Sequence, residues 1–340
     1  MAQPTTSSDN MTGTNQTHQA ETTFKNYSST DAQKYTAYRA THNPRLVETV
    51  VRIHAETGGQ MARVLDVGCG PATATRQVAS YFKHAVGVDA SPAMIEQAQQ
   101  IPCSTATGEQ TQFQTSNAEE FDQLFEPGSI DLIIVAAAAH WFDMPRFYAA
   151  AAKVLKPSGS IAIWASSLWW VDPTTTPNAE AIMGKWNEFY ENVMRPYEAP
   201  GNLLARGLYK DLLLPWTIGP DSVSPETAKS LASYDRDTSV RKEWNADGKP
   251  DPDPMLAETK GFMKHLKLTL DQAAKYMGTA SPITRWREAH KEQLESGEVE
   301  DCIDRLFRLT KEELAKDDDW KDRDWVEVCV PSVLIVVKKA

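Results

Sequence analysis

Residues 64–73 read Val64-Leu65-Asp66-Val67-Gly68-Cys69-Gly70-Pro71-Ala72-Thr73, and they decide the fold. The apolar residues before Gly68 predict a strand, and the two glycines predict a tight turn where the backbone can approach a ligand closely. A dinucleotide-binding loop would place a third glycine at position 73, which is threonine here. Asp66 would also repel a pyrophosphate, so the turn suits a ligand that carries positive charge.

Strands and helices alternate through the next hundred residues. After the strand at 63–67, the pattern predicts strands at 85–89, 111–115, 130–135 and 160–164, with helices between them. Alternation of this kind implies parallel strand pairing with helices on both faces of the sheet. The expected fold class is therefore α/β, with a Rossmann-like doubly wound sheet.

The alternation stops after residue 165. Residues 166–324 are predicted to be mainly helical. Two β-rich segments follow, 325–330 and 332–337, and they are separated by Pro331. These segments predict a terminal antiparallel β-hairpin that completes the sheet.

The sequence therefore predicts three parts. Residues 23–165 and 325–340 form the sheet domain, and residues 166–324 form an inserted helical cap that binds substrate. Residues 1–22 are almost entirely polar, so we expect a disordered tail there.

The composition limits the classes of partner. The 340 residues include 35 Lys and Arg against 46 Asp and Glu, a formal net charge of −11, which argues against a general affinity for nucleic acid or anionic membranes. The four cysteines lie far apart with no Cys-x-x-Cys pair, so we expect reduced thiols and no bound metal. The sequence shows no signal peptide and no apolar run long enough to span a bilayer. A cytoplasmic protein is expected.

Polar residues follow the next two predicted strands. Asp89 ends the second strand, about 20 residues beyond Gly70, where a carboxylate typically binds a ribose diol. Asn117 follows the third strand, where a side chain and a backbone amide can read the edge of an adenine. Together with Asp66, these positions describe a nucleoside with a cationic, non-phosphorylated appendage. S-adenosylmethionine fits that description.

These motifs resemble the series found in class I S-adenosylmethionine-dependent methyltransferases. The resemblance rests on Asp66-x-Gly68-x-Gly70, Asp89, Asn117-Ala118 and Leu155-Lys156-Pro157-x-Gly159. Two further segments are similar to the trans-aconitate methyltransferase-like group of small-acid carboxyl O-methyltransferases: Tyr38-Arg39-Ala40-Thr41-His42-Asn43-Pro44 and Ala139-His140-Trp141-Phe142-Asp143. Ala40 and Asn43 depart from the pattern of that group.

The resemblance implies a role in cofactor binding for each matched position. Asp66 and the glycine turn would hold the methionine portion and its ammonium, Asp89 would bind the ribose hydroxyls, and Arg39 would lie near the cofactor carboxylate. The implied cofactor-binding residues are Tyr38, Arg39, Asp66, Gly68, Gly70, Asp89, Ala90, Met94, Asn117, Ala118 and Ala136.

His140 is the candidate catalytic residue, because it follows the fourth strand where the methyl donor would lie. It could act as a general base on a hydroxyl group, as a structural imidazole, or as a group that orients a carboxylate. The further candidates for substrate binding are Trp141, Trp169, Trp170, Arg285 and Trp286.

The expected function is in-line SN2 transfer of a methyl group from S-adenosylmethionine to a carboxylate oxygen of a small organic acid, which leaves S-adenosylhomocysteine. A carboxylate is already ionised near neutral pH, so this reaction needs mainly proximity and orientation. One alternative is O-methylation of a phenol or enol natural product of secondary metabolism, with His140 as the base. Another is a catalytically silent subunit that binds the cofactor and regulates a partner. The protein is expected to be a monomer or a homodimer, without a nucleic-acid or membrane partner.

Overall fold

A computed structural model describes residues 23–25, 27–39, 41–244 and 266–340 of the chain. The predicted disordered tail, residues 1–22, lies outside the described residues. The described part contains a large sheet with helices on both faces and a smaller sheet with helices of its own. None of the described helices combines the length and the apolar character needed to cross a membrane.

Seven strands form the central sheet. They are β1 (Arg63–Val67), β2 (His84–Asp89), β3 (Gln112–Thr115), β4 (Ile130–Ala136), β5 (Leu155–Ser166), β7 (Tyr234–Trp244) and β10 (Ser332–Lys339). Their order across the sheet is β3-β2-β1-β4-β5-β10-β7. The first five pair in parallel, and β10 runs antiparallel to both of its neighbours. This sheet confirms the predicted Rossmann-like α/β fold.

Helices cover both faces of this sheet. The helices associated with it are α1 (Ser29–Tyr38), α2 (Pro44–Glu56), α3 (Thr73–Ala79), α4 (Pro92–Gln100), α5 (Met144–Val154), α7 (Pro200–Arg206) and α8 (Pro225–Leu231). Successive side chains of β1 alternate between the two faces: Leu65 belongs to the cluster around Phe147 of α5, and Val64 to the cluster around Val50 of α2 and Val78 of α3. Coverage on both faces explains why the strands are continuously apolar.

A second lobe is built around a three-stranded antiparallel sheet in the order β6-β9-β8. Its strands and helices are β6 (Trp170–Val171), α6 (Ala179–Phe189), β8 (Leu266–Thr269), α9 (Leu270–Met277), α10 (Ser281–Ala289), α11 (Lys291–Ser296), α12 (Cys302–Leu314) and β9 (Trp325–Cys329). Trp186 and Trp286 are buried in its core, and the Trp186 indole donates to the Thr310 hydroxyl at 2.9 Å. These tryptophans therefore hold the lobe together.

Single turns of helix connect several of these elements. They lie at Phe121–Leu124, Ala139–Trp141, Tyr190–Met194, Arg195–Tyr197 and Pro220–Ser222. The turn Ala139–Trp141 follows β4 directly, so it places His140 and Trp141 at the carboxyl end of the parallel strands.

Two strands lie elsewhere than the sequence predicts. β9 does not form a hairpin with β10 in the central sheet but pairs with β6 and β8, and the chain crosses between the lobes at Pro331. β7 comes from the segment predicted as a helical cap, and it forms an edge of the central sheet. Its many charged residues suit an exposed edge, but they remove the apolar alternation that identifies a strand. The division of the chain into a sheet domain and a cap stays a proposal.

Candidate active site

A cavity of about 740 Å³ opens at the carboxyl ends of the parallel strands. Gly68, Asp89 and Ala136 line it where β1, β2 and β4 end, and the second lobe contributes Trp169 and Tyr276 among others. Ligands of open α/β sheets bind at this edge, where the strand order reverses. The cavity is therefore the candidate active site.

Gly68 and Gly70 shape the cavity next to β1. Both have a positive φ, +71° and +52°, which glycine adopts without strain. A Cβ at Gly68 would lie 2.7 Å from the Cβ of Ala138 across the turn, so a larger residue does not fit. The Gly70 amide donates to Asp89 Oδ2 at 2.8 Å, and this bond ties the turn to the end of β2.

Asp89 is fixed by two backbone amides. Besides Gly70, the Ser91 amide donates to Oδ1 at 2.8 Å. Burial raises the pKa of Asp89, and the two amide hydrogen bonds lower it in part. Each carboxylate oxygen can accept a second hydrogen bond, so the carboxylate can bind a diol in the cavity. Ala90 and Met94 line the cavity beside it.

Asn117 and Ala118 line the cavity after β3. The Asn117 side chain donates to Glu120 Oε2 at 2.9 Å. The neighbouring Glu119 accepts the Asp143 amide at 2.9 Å. The loop after β3 is thus fixed by its own polar side chains, and the Asn117 amide group is engaged locally.

Two predicted cofactor contacts, Tyr38 and Asp66, do not line the cavity. Tyr38 is 39% exposed and points to the outside of α1. Asp66 is fully buried behind the glycine turn, where Oδ2 accepts from the Thr75 hydroxyl at 2.6 Å and Oδ1 has no hydrogen-bond partner among the described residues. Burial raises the pKa of Asp66 to about 7. In this geometry, therefore, neither side chain contacts a ligand in the cavity directly.

Arg39 lines the cavity and keeps its positive charge there. Its guanidinium lies 4.9 Å from the ring centroid of Tyr35 and 4.7 Å from that of Tyr276. Burial lowers the pKa of Arg39, but the two tyrosines outweigh burial and the net change is upward. In the described part of the chain, its buried Nε has no hydrogen-bond partner and no carboxylate pairs with the guanidinium. A partly buried cation of this kind favours an anionic ligand.

The residues predicted to bind substrate divide into two groups. Trp141, Trp169 and His140 line the cavity, whereas Trp170, Arg285 and Trp286 do not. Trp170 lies in β6, at the edge of the small sheet. Trp286 is buried in the second lobe and stacks on His290 with ring centroids 4.3 Å apart.

Arg285 connects α10 of the second lobe to neighbouring segments that include α7, and it does not line the cavity. Its Nε donates to the Tyr197 carbonyl at 2.7 Å, and its two Nη groups donate to Thr23 Oγ1 at 2.9 Å and to Asn202 Oδ1 at 2.7 Å. Arg287, on the other side of Trp286, does not line the cavity either but pairs with Asp301.

The cavity instead contains Arg206, which the sequence analysis missed. Arg206 forms an ion pair with Glu198, and its guanidinium lies 3.5 Å from the ring centroid of Tyr190. The Tyr190 hydroxyl donates to Glu198 Oε2 at 2.9 Å. All three residues line the cavity. Tyr190 begins one short turn, Glu198 follows the next and Arg206 ends α7. These positions share no motif, so no pattern in the sequence marked them.

His140 lines the cavity next to Trp141, and its side chain is hydrogen-bonded to Tyr209. The two side chains share a hydrogen bond of 2.7 Å between His140 Nδ1 and the Tyr209 hydroxyl. Burial lowers the pKa of His140 to about 3. The imidazole is therefore neutral at physiological pH, with Nε2 as the ring nitrogen left for a ligand. Within the described residues, no group of His, Cys, Asp or Glu side chains is arranged to hold a metal ion.

The part of the chain that carries this site is similar to a known protein family. Residues 64–159 match the family model described as a methyltransferase domain. This range runs from β1 into β5 and includes the glycine turn, Asp89, Asn117 and His140. Over residues 64–159 the chain is thus similar to a methyltransferase domain.

Two relatives extend the similarity beyond that range. A Dictyostelium discoideum protein that carries the name methyltransferase is 31% identical over 181 residues, which cover 53% of this chain and 63% of that protein. This match therefore spans less than two thirds of the relative. A Saccharomyces cerevisiae protein, named as a probable S-adenosylmethionine-dependent methyltransferase, is 24% identical over 75% of this chain and 80% of that protein.

The more specific resemblance is supported over a shorter stretch. A trans-aconitate 2-methyltransferase of Deinococcus radiodurans is 35% identical over 107 residues, which cover 30% of this chain and 37% of that protein. Among solved structures, one from Anaeromyxobacter dehalogenans, named for a type II methyltransferase, has a TM-score of 0.55 at 19% identity. It covers 88% of this chain and 97% of its own. At that identity the likeness concerns the fold.

Proposed function

We propose that the protein is an S-adenosylmethionine-dependent methyltransferase that esterifies a carboxylate oxygen of a small organic acid. Three features of the cavity fit the cofactor. The cavity wall at Gly70, where an added Cβ would meet no described atom within 4 Å, accepts a ligand against the backbone. Asp89 has lone pairs for the ribose hydroxyls. Arg39 provides a partly buried positive charge without a carboxylate partner among the described residues, which suits the cofactor carboxylate.

The residues of this chain contribute mainly by position. When bound, S-adenosylmethionine supplies a methyl group on a positively charged sulfur, which an oxygen nucleophile can attack. Ala136 ends β4 on the cavity wall, and Trp141 and Trp169 form apolar walls that exclude water. Holding the acceptor oxygen in line removes much of the entropic barrier.

The state of His140 favours a carboxylate over a hydroxyl group as the acceptor. With a pKa of about 3, this imidazole is too weak a base to remove a proton from a phenol, whose pKa is about 10. A carboxylate needs no proton removed. The placement of His140, which lines the cavity with Nδ1 hydrogen-bonded to the Tyr209 hydroxyl, together with this low basicity, carries the choice of substrate class.

The aromatic lining of the cavity keeps a phenolic substrate as the second candidate. Trp141, Trp169 and Tyr276 line the cavity, and a phenol ring could pack against such walls. The pH dependence of activity would not separate the two reactions, because burial lowers the pKa of His140 in the free protein whichever acceptor is methylated.

The chemistry of the product is the sharper test. Purified protein is incubated with methyl-labelled S-adenosylmethionine and a panel of dicarboxylic acids, tricarboxylic acids and phenols, and the product is treated with alkali. A carboxyl ester releases volatile labelled methanol. An alkali-stable methyl ether from a phenol would contradict the proposal. Cofactor binding without turnover on any acid would instead favour a regulatory subunit.

A further inference from the structure

Buried Tyr209 and partly buried His140 form a hydrogen-bonded pair at the wall of the cavity. Tyr209 is 1% exposed, and its hydroxyl lies 2.7 Å from His140 Nδ1. Burial raises the pKa of Tyr209 well above its usual value, and a hydrogen bond from the backbone amide of His140 lowers it only in part. The phenol therefore keeps its proton at physiological pH, and this proton needs an acceptor.

The Tyr209 proton selects one tautomer of His140. Among the described residues, Nδ1 of His140 is the hydrogen-bond acceptor within reach of the Tyr209 hydroxyl. If Nδ1 carried the proton instead, the buried phenol would donate to nothing, and a buried unsatisfied donor is strongly disfavoured. With Nδ1 as the acceptor, the neutral ring carries its proton on Nε2. His140 then presents an N–H donor at its free edge, without a lone pair for proton removal.

The backbone around Tyr209 is strained in a way that holds this hydroxyl in place. Leu208 and Tyr209 both have a left-handed conformation, with φ of +52° and +54°, which disfavours residues that have a Cβ. Arg241 of β7 binds both of their carbonyls, at 2.6 Å to Leu208 and 3.2 Å to Tyr209. Glu243 on the same strand accepts from Arg241 in turn. The sheet edge therefore maintains a conformation that the segment would not adopt alone.

We propose that Tyr209 is a positioning residue that holds His140 in the tautomer protonated on Nε2, so that His140 donates a hydrogen bond to an acceptor oxygen of the substrate. This inference rests on the proposed function, because a carboxylate has a second oxygen to accept that bond while the first is methylated. The donor would fix the rotation of the carboxylate, and it would discriminate against a substrate that lacks an acceptor.

The tautomer can be observed directly in the protein. Nitrogen NMR of ¹⁵N-histidine-labelled protein distinguishes a protonated ring nitrogen from an unprotonated one, and His140→Gln assigns the signal among the seven histidines. We expect a protonated Nε2 and an unprotonated Nδ1 across pH 6 to 8. In the variant Tyr209→Phe we expect the signals to move towards a mixture of tautomers. A proton on Nδ1 in the wild type would overturn the proposal.

Substitutions at His140 separate a donor from a base. His140→Gln keeps a donor, and we expect kcat/KM within about tenfold of the wild type. His140→Leu removes the donor, and we expect a loss on the order of a hundredfold, mainly in the substrate KM. If His140 were a base, Gln and Leu would lose activity equally, by about 10²-fold or more.

A second hydroxyl deletion provides the matched control. Tyr148 is also fully buried, and its hydroxyl has no hydrogen-bond partner among the described residues. We expect Tyr209→Phe to raise the substrate KM about fivefold to tenfold, with the Kd for S-adenosylmethionine unchanged, and Tyr148→Phe to change neither. If the product assay finds no ester but Nε2 carries the proton, the substrate class fails and the role of Tyr209 stands.

Discussion

Asp66 is a buried carboxyl group with one oxygen that receives no hydrogen bond from the described residues. Its ordinary pKa is 3.8, and burial raises this value to about 7 in the folded protein. The folded state therefore holds a proton that the unfolded state has already lost. As pH rises from about 4 to about 7, the free energy of unfolding decreases, and above pH 7 this contribution is constant.

We expect Asp66→Asn to be more stable than the wild type at neutral pH in the absence of ligands. The gain should be small near pH 4 and reach on the order of 2–4 kcal/mol at pH 7 and above. Urea unfolding at pH 5, 6, 7 and 8 measures this difference.

The control for Asp66→Asn is an exposed carboxylate. Asp221 lies in the exposed turn Pro220–Ser222, so the stability difference caused by Asp221→Asn should be small and independent of pH. An Asp66→Asn variant that is destabilised equally at every pH would contradict the role of burial.

Some residues of the candidate site could be predicted from the sequence and others could not. Gly68, Gly70 and Asp89 were predictable because a turn with positive φ and a carboxylate at a strand end leave a fixed spacing along the chain. The position of Arg285 was not predictable, because helical periodicity does not tell whether an arginine faces a cavity or binds neighbouring segments of the chain. Arg206 was not either, since its partner Glu198 and its stacking ring Tyr190 lie in irregular turns.

At the scale of elements, α7 packs directly against the turn that carries His140. A Cβ at Gly201, in the first turn of α7, would lie 2.5 Å from the His140 carbonyl oxygen and 2.6 Å from the Trp141 ring. Neither neighbour can retreat without moving the wall of the cavity. We expect Gly201→Ala to lower the free energy of unfolding by about 1–3 kcal/mol and to lower kcat/KM, measured by urea unfolding and by the ester assay.

Gly184 provides the matched control, because it lies inside α6 and a Cβ added there would meet no described atom within 4 Å. Alanine is favoured over glycine inside a helix, so Gly184→Ala should stabilise the protein by about 0.5–1 kcal/mol. If Gly201→Ala and Gly184→Ala changed the free energy of unfolding equally, the contact between α7 and the His140 turn would not contribute to stability.

A strand could be predicted from the sequence where its own residues show the pattern that identifies it. β1, β2 and β4 are buried on both faces, so their apolar runs identify them in the sequence. β7 is an edge strand with charged side chains, and β9 pairs with strands far away in the sequence. Their placement depends on partners that no local pattern reveals.

At the scale of the whole molecule, the two lobes are interleaved along the chain. β7 and β10 belong to the central sheet, whereas β6, β8 and β9 belong to the small sheet, so the chain passes between the lobes several times. Neither sheet can therefore be removed without releasing strands of the other. We expect the lobes to unfold together.

The four cysteines can report this behaviour. All of them are free and buried, with Cys103 in a cluster of the central sheet and Cys302 in the core of the second lobe. Burial raises the pKa of Cys302 and of Cys329 to about 12, so the reactive thiolate is scarce. We expect negligible reaction with a thiol reagent in the native state.

Pulse labelling at increasing urea concentration, followed by mass spectrometry, measures the urea concentration at which each thiol becomes exposed. Cys103 and Cys302 should become reactive at the same midpoint. Labelling of Cys302 well before Cys103 would show that the second lobe unfolds independently.

β10 lies between β5 and β7 in space, but it follows both of them along the chain. While the ribosome is still making residues 245–331, β7 has no strand to pair with, and the edge of β5 stays open. Exposed edges of this kind are where a nascent chain meets other chains. The sheet can close only when residues 332–339 have been made, so the cavity wall formed by Ser332 is completed only after β5, β7 and residues 245–331 have been synthesised. We expect the yield of folded protein to depend on protection of the nascent chain during synthesis, even if the folded protein is stable once it has formed.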